Sequence, residues 1–344
     1  MRRMMATAAT LLSLTFGVST PAQAETRLLV NCFWPPQHFV CREILPAWIE
    51  RVEEATEGRV RGLIPPKSLA APPEQWDAIE KGIMDVSVQF TGFVQNRVQG
   101  PMVAMNLFTG INDAPAMSQA LWETREQFFP DEHEGIKLLS LWVITPGEVW
   151  SQTDEPILSV EDLQSRKIWA LPGSPANMLK GMGSGVVAGP AVQANEIISR
   201  GVVDGYIALS PNSVDTFQLI PYTTHRTTFE TGMYTTVFNL LMNEDKWAEI
   251  SPEDQAAIMS VSGPEFGRFA AQFWVDLDAK SLGKIEEAGI VTHEAPPEFE
   301  AALKEAAVGL TEGWVERASA KGIDAQAALD FYIARSKELS AAMN

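Results

Sequence analysis

Glu148 with either Asp154 or Asp215 offers a pair of carboxylates of the kind used for general acid/base chemistry in a secreted enzyme. A chain with 44 acidic residues supplies such pairs by coincidence, so the pairing alone argues little. Aromatic faces gathered around one carboxylate suit a different chemistry, the binding of an ammonium group, at roughly 0.5 to 2 kcal/mol per desolvated ring. His38, His133, His225 and His293 are scattered, and no His/Cys pair with structural-zinc spacing stands beside a second pair. Gly183-Ser184-Gly185-Val186-Val187-Ala188 has the G-x-G-x-x-A spacing of a dinucleotide fingerprint, but it follows a helical pattern and leads into a strand pattern. The fingerprint needs the reverse order, with a helix N-terminus presented to the pyrophosphate. There is no G-x-S-x-G elbow, H-E-x-x-H or P-loop. The expectation is a protein without catalytic residues, metal or cofactor.

Hydrophobic periodicity places the elements that must position any site. Arg27 to Asn31 reads as a strand, Phe39 to Glu57 as a helix ended by Gly58, and Arg59 to Ile64 as a strand. Pro72 to Lys81 reads as a helix and Met84 to Gln89 as a third strand. This alternation implies a parallel sheet with helices on its faces. Ligands of such sheets bind at the carboxyl ends of strands, which points to Cys32 to Trp34 and Gln89 to Phe93. A second unit begins near Lys137, with strands at Leu138 to Ile144, Glu148 to Gln152, Lys167 to Leu171, Val186 to Ala188 and Gly205 to Ala208. Helices are expected at Ser174 to Met182 and Gln193 to Arg200. Pro252 to Ala288 reads as one long helix, and Ala301 to Lys321 and Ala325 to Ala342 as closing helices.

With 344 residues, 46% of them hydrophobic, the chain can bury a substantial core in two lobes. Residues 1–24 carry Arg2 and Arg3, an apolar stretch from Ala6 to Val18, and Ala22-Gln23-Ala24, the pattern of a cleaved secretory signal. The apolar run is shorter than the roughly 20 residues that span a bilayer. Removing the two arginines takes the formal net charge from −18 to −20, a balance that repels nucleic acid and anionic lipid. Cys32 and Cys41, nine positions apart, could close a disulfide in an oxidising compartment or be two small buried hydrophobes; the sequence leaves both open.

The stretch Lys167-Ile-Trp169-Ala-Leu-Pro-Gly-Ser174, followed by Gly189-Pro-Ala-Val-Gln-Ala-Asn-Glu196 and Gly201-Val-Val-Asp204-Gly205, resembles the second-lobe signature of the periplasmic substrate-binding proteins of TRAP (tripartite ATP-independent periplasmic) transporters. Gly58-Arg59-Val60, Pro66, Leu69 and Ala78-Ile-Glu-Lys-Gly82-Ile-Met-Asp85-Val86 resemble the first-lobe stretch of that family. Order and spacing together cover nearly the whole chain after residue 24. In the recurrent Gly-x-x-Asp, a helix end turns into a strand, so Asp85 and Asp204 read as structural caps.

The resemblance implies an α/β, two-lobed binding protein with a central cleft, each lobe a sheet flanked by helices, and a long helix bracing both. It places residues 25–146 and 236–275 in lobe 1, and 147–235 and 276–344 in lobe 2. It further implies a periplasmic monomer that closes on a small solute and delivers it to membrane subunits of a TRAP transporter. The family usually has Arg where this chain has Trp169, and that Arg holds a ligand carboxylate. Loss of such a clamp commonly costs 2 to 5 kcal/mol. Lys167 shares a strand face with Trp169, and Arg166 lies at the strand start. The family's contact positions then gather Trp34, Phe90, Phe93, Trp150, Trp169 and Tyr206 around Glu148. The expected ligand is a small amine or amino alcohol, with Glu148 on the amine and Ser210 or Asn212 on a hydroxyl. An alternative stays open: the aromatics are lobe core, and the ligand is an ordinary organic acid held by a non-standard clamp.

Overall fold

The computed structural model describes residues 25–109 and 111–343; the expected signal segment, residues 1–24, lies outside them. The described residues form eleven strands: β1 (Thr26–Asn31), β2 (Val60–Leu63), β3 (Val86–Phe90), β4 (Ile136–Val143), β5 (Glu148–Ser151), β6 (Lys167–Ala170), β7 (Gly185–Ala188), β8 (Gly205–Leu209), β9 (His225–Thr228), β10 (Val237–Asn243) and β11 (Val291–Glu294). They make two sheets, ordered β2-β1-β3-β10-β4 and β11-β9-β5-β8-β6-β7, each flanked by helices, so the molecule is two-lobed with a cleft between. In the first sheet β1 pairs in parallel with β2 and β3, while β10 runs antiparallel between β3 and β4. β3 and β10 are buried at every residue, as central strands covered on both faces must be. The sequence pattern missed β9, β10 and β11 and the helix Ala114–Phe128. β9 and β11 are four-residue strands rich in His, Arg, Thr and Glu, whose partly exposed polar residues do not stand out from loop.

Two crossing segments and one helix join the lobes. Ile144 N–H donates to the Thr236 carbonyl at 3.2 Å and Gly147 N–H to the Tyr234 carbonyl at 2.7 Å, so the crossings are pinned to each other. A Cβ at Gly147 would lie 2.2 Å from the Ala208 carbonyl carbon, which reserves this position for glycine. The long helix runs Gly263–Glu287 and touches β4 and Ala114–Phe128 on one side and the short helix Pro211–Thr216 on the other. The expected continuous helix from Pro252 is broken: Pro252–Ser260 ends, and Gly263 restarts the chain at φ +54°. The final helix Ala325–Met343, expected with the second lobe, instead packs on Ala114–Phe128, with an Arg335–Glu123 ion pair at 2.5 Å and Phe331 against Phe128.

Asp85 and Asp204 do the same structural task in the two lobes. Asp85 accepts the Leu29 N–H at 2.6 Å and Asp204 the Lys167 N–H at 2.8 Å, tying each turn to the neighbouring strand. Gly82 and Gly201, three residues earlier, sit at φ +66° and +63°. Cys32 and Cys41 are bridged, with Cα atoms 5.6 Å apart, and join the end of β1 to a π-helical turn, Val40–Ile44, that opens the first helix.

His133 is buried in the first lobe, stacked on Trp76, with Nε2 3.2 Å from the Asn239 carboxamide oxygen and no partner for Nδ1 among the described residues. Asn239 gives its nitrogen to the Gln89 carbonyl and the Thr91 hydroxyl, so its oxygen faces the ring and Nε2 carries the proton. Burial holds this imidazole down at about 4. Between that value and the unfolded value near 6.5 the unfolded state binds more protons, so stability falls as pH falls through this window. At about pH 5 the loss from this group is about 2 kcal/mol. His133→Gln is expected to shrink the drop in urea-unfolding free energy between pH 7 and pH 5 by about that amount.

Candidate ligand-binding site

A cavity of about 60 Å³ lies between the lobes. The first lobe contributes Trp34, His38 and Phe39 from the chain after β1, Phe90 and Phe93 at the end of β3, and Thr236 and Phe238 at the start of β10; Trp274 comes from the long helix. The second lobe contributes Leu171 after β6, Pro190 to Val192 after β7, Ala208 and Leu209 of β8, and Asn212, Ser213, Thr216 and Phe217. The contributions from β1, β3, β6, β7 and β8 come from their carboxyl ends, where α/β sheets present ligands, and antiparallel β10 brings its amino end to the same edge. The rings brace one another: Trp34 and Phe238 lie 5.2 Å apart, Phe90 and Phe93 meet edge to face at 4.9 Å, and Phe39 meets Trp274 edge to face at 4.8 Å. His38 and Phe217, from opposite lobes, approach to 5.9 Å.

No Lys, Arg, Asp or Glu lines this cavity among the described residues. Its polar groups are neutral. Asn212 is buried; its side-chain oxygen accepts the Thr216 hydroxyl at 3.0 Å, and its amide nitrogen is left to donate. Ser213 shares its hydroxyl with Ser210 at 3.2 Å. His38 accepts the Val40 N–H on Nδ1 at 3.2 Å, and burial holds its pKa down at about 3.

Of the residues singled out by sequence, Trp34, Phe90, Phe93 and Asn212 come together at this cavity. Trp150, Trp169 and Tyr206 do not; all three are fully buried in the second lobe. Register aligns Val187, Trp169, Tyr206, Trp150 and Arg226 as one cross-strand row. Trp150 stacks on Tyr206 at 6.0 Å and donates to the Leu209 carbonyl, while Tyr206 bonds the Thr223 hydroxyl at 2.6 Å. Trp169 Nε1 has no partner among the described residues and would lie 3.8 Å from a Cβ at Gly189, just behind the Pro190 wall. Ser210 is used as the cap of the helix Pro211–Thr216. Arg166 is consumed by Ser151 and the Glu155 and Pro156 carbonyls, and Lys167 is exposed.

Glu148 is not a free anion. Arg226 grips it through two bonds of 2.5 and 2.6 Å, and the guanidinium also lies 5.8 Å from the Trp150 ring. Burial pushes the Glu148 carboxyl up, and Arg226 opposes that shift. The expected aromatic cage therefore lacks both its anion and three of its rings. Strand alternation failed at β8 because the ladder with β5 is irregular: Glu148 pairs with Leu209 and Val149 with Ile207, which leaves Ala208 as a bulge at φ +68°. Ala208 and Leu209, consecutive in sequence, thus both face the cavity while Tyr206 stays in the core.

The model of the bacterial extracellular solute-binding protein family 7 matches residues 30–317. The chain belongs to this family. It is 33% identical over 97% of its length to the outer membrane transporter protein TsaT of Comamonas testosteroni, of which the match covers 98%. A TRAP periplasmic solute-binding protein of Bordetella bronchiseptica, solved with bound (R)- and (S)-mandelate, has a TM-score of 0.85 at 31% identity, covering 91% of this chain and 99% of that one. A marine-metagenome TRAP protein specific for aromatic acid ligands, solved with metahydroxyphenylacetate, has a TM-score of 0.84 at 25% identity over 92% and 99% of the two chains.

This TRAP solute-binding protein is thus a transport subunit: it binds a small molecule and delivers it to membrane permease subunits, and its family works outside the cytoplasm. His38, Phe39, Phe217, Phe238 and Trp274 were not foreseen as cavity residues. The carboxyl-end rule applied to β1 would have reached His38 and Phe39 had it been followed to the first helical turn. The paired Arg226 and Glu148 give the site a testable scaffold, since both are about 15% exposed. Arg226→Leu, which strands a buried carboxylate, is expected to cost about 3 to 5 kcal/mol in chemical unfolding, and adding Glu148→Leu should return part of that loss.

Proposed function

We propose that this chain captures a small aromatic monocarboxylate and releases it to a TRAP permease. The observation that carries the reading is the cavity itself: ring walls on several sides, no charged side chain, and neutral donors such as Asn212 at one end. Planar rings bury a flat apolar ligand with specific edge and face contacts, and an amide N–H can meet a carboxylate oxygen. An amine would meet rings but no carboxylate, because Glu148 belongs to Arg226. The ligands of the Bordetella and marine-metagenome relatives, mandelate and aromatic acids, support the same class. No Arg lines the cavity among the described residues, so on this reading the acid is held without a guanidinium, and Trp169 acts as packing behind the wall.

We further infer that the mature chain starts near Glu25 after export, and that the lobes close about the pinned crossings at Ile144 to Gly147 and Tyr234 to Thr236. Closure would bury the ligand and strengthen its polar contacts by excluding water.

Thermal unfolding of the mature protein with mandelate, benzoate, hydroxyphenylacetates, and small amines and amino alcohols tests the reading. A true ligand at 100 times its Kd adds about 2.7 kcal/mol of stability. Stabilisation by the aromatic acids alone is the expected result; stabilisation by the amines alone would reinstate an ammonium ligand.

A further inference from the structure

Among the described residues, His38 is the one titratable side chain in the cavity wall. Its ring is locked by stacking, 5.2 Å from Trp34 and 4.3 Å from Phe39, with near-parallel planes. Nδ1 already accepts the Val40 N–H, so the proton of the ring is on Nε2. Nε2 has no protein partner among the described residues, yet it is not sealed in the core as the unpartnered His133 Nδ1 is. His38 lines both the interlobe cavity and the adjoining hollow next to Asn212 and Phe217, a hollow that also carries Asp215, Lys280 and Lys284, so its ring stands where the lobes meet.

We propose that His38 Nε2–H is the first lobe's donor to the ligand carboxylate, opposite the Asn212 amide of the second lobe. The assignment rests on the aromatic-carboxylate reading and adds a residue and a specificity to it. One carboxylate has two oxygens, and two uncharged donors from opposite lobes can each take one. The anion then bridges the cleft, and the contact that recognises it also holds the lobes together. Two neutral N–H groups can satisfy one carboxylate, but a second carboxylate held within the ring-lined cavity would meet no cation among its described lining residues, the nearest lysines, Lys280 and Lys284, lining the adjoining hollow instead. The cavity is thus selective for monocarboxylates over dicarboxylates of similar size. It also separates acid from amide: the carboxamide of the same ring brings N–H groups against N–H groups.

The experiment is titration calorimetry of mandelate, mandelamide and phenylsuccinate with the mature wild-type protein, His38→Phe and Asn212→Asp. The wild type is expected to prefer mandelate to both others. His38→Phe keeps the stacking and removes the donor, so mandelate should weaken about 10- to 100-fold, the worth of a hydrogen bond to a charged group. Its affinity for mandelamide should change little, a pattern that general loosening would not give. Asn212→Asp retains the acceptor for Thr216 while placing an anion in the cavity, and should abolish mandelate binding. Where His38→Phe fails to fold, His38→Met removes the same donor and is read the same way. Wild-type affinity for mandelate in the His38 variant overturns the assignment and leaves the aromatic-acid reading intact. Absence of binding to any aromatic carboxylate by the wild type overturns that reading, and this one with it.

Discussion

A buried carboxylate on the long helix fixes the joint on which the cleft depends. Asp278 accepts the hydroxyl of Thr145 in one crossing segment and the backbone N–H of Asn212 in the second lobe. Burial pushes its pKa up, against the pull of those donors, of Ser210 and of Arg226. A carboxylate this enclosed cannot lose its donors cheaply, so the crossing, the helix and the second-lobe wall must keep their relative places. Asn212 is thereby set by an atom outside the cavity. Arg226 contributes from a distance while being held by Glu148, so one cation serves two carboxylates behind the wall.

This use of charge accounts for the chemistry left in the cleft. A free guanidinium in the wall would hold any carboxylate strongly, with little regard for what is attached to it. With the cation spent on the scaffold, affinity has to come from ring contact and from a few neutral donors whose placement matters. Such a site gives up some polar energy in return for discrimination by shape, since a ligand that fails to fill the ring-lined space loses dispersion and burial together. Trp169 fits this account as a filler: its indole occupies the face of β6 and supports Gly189 and Pro190 without entering the cavity.

The parallel halves of both sheets could be read from sequence because their strands and helices alternate with clear punctuation. Asp85 and Asp204 could be read too, since Gly-x-x-Asp needs only local geometry to cap a turn. What could not be read was anything set by pairing between distant segments. Glu148 looked like a free anion because its partner Arg226 lies 78 residues later in a short polar strand that carries no periodic signal. Tyr206 was placed in the cleft by the family's contact positions, and the bulge that turns Ala208 and Leu209 to the cavity instead is visible only once β5 is aligned beside β8. His38 was weighed only as a metal ligand and set aside with three other scattered histidines; the setting that singles it out, the Val40 N–H and the stacked rings around it, is not written in the sequence.

These points bear on how a binding protein of this kind can both hold and release its cargo. A ligand shifts a two-state equilibrium only by its differential affinity for the two states. Contacts drawn from a single lobe are the same whether the cleft is open or closed, and they contribute nothing to closure. The ring of Phe217 against His38, and polar groups offered from both sides, exist only when the lobes meet, so ligand energy realised there is closure energy. Conversely, a permease that separates the lobes removes every such contact in one motion and meets no one-sided salt bridge from the described lining to retain the cargo. A cavity whose described lining carries no charged side chain therefore makes capture depend on closure and makes release follow from opening, while the buried Asp278 joint ties the crossing segment, the long helix and the second-lobe wall together.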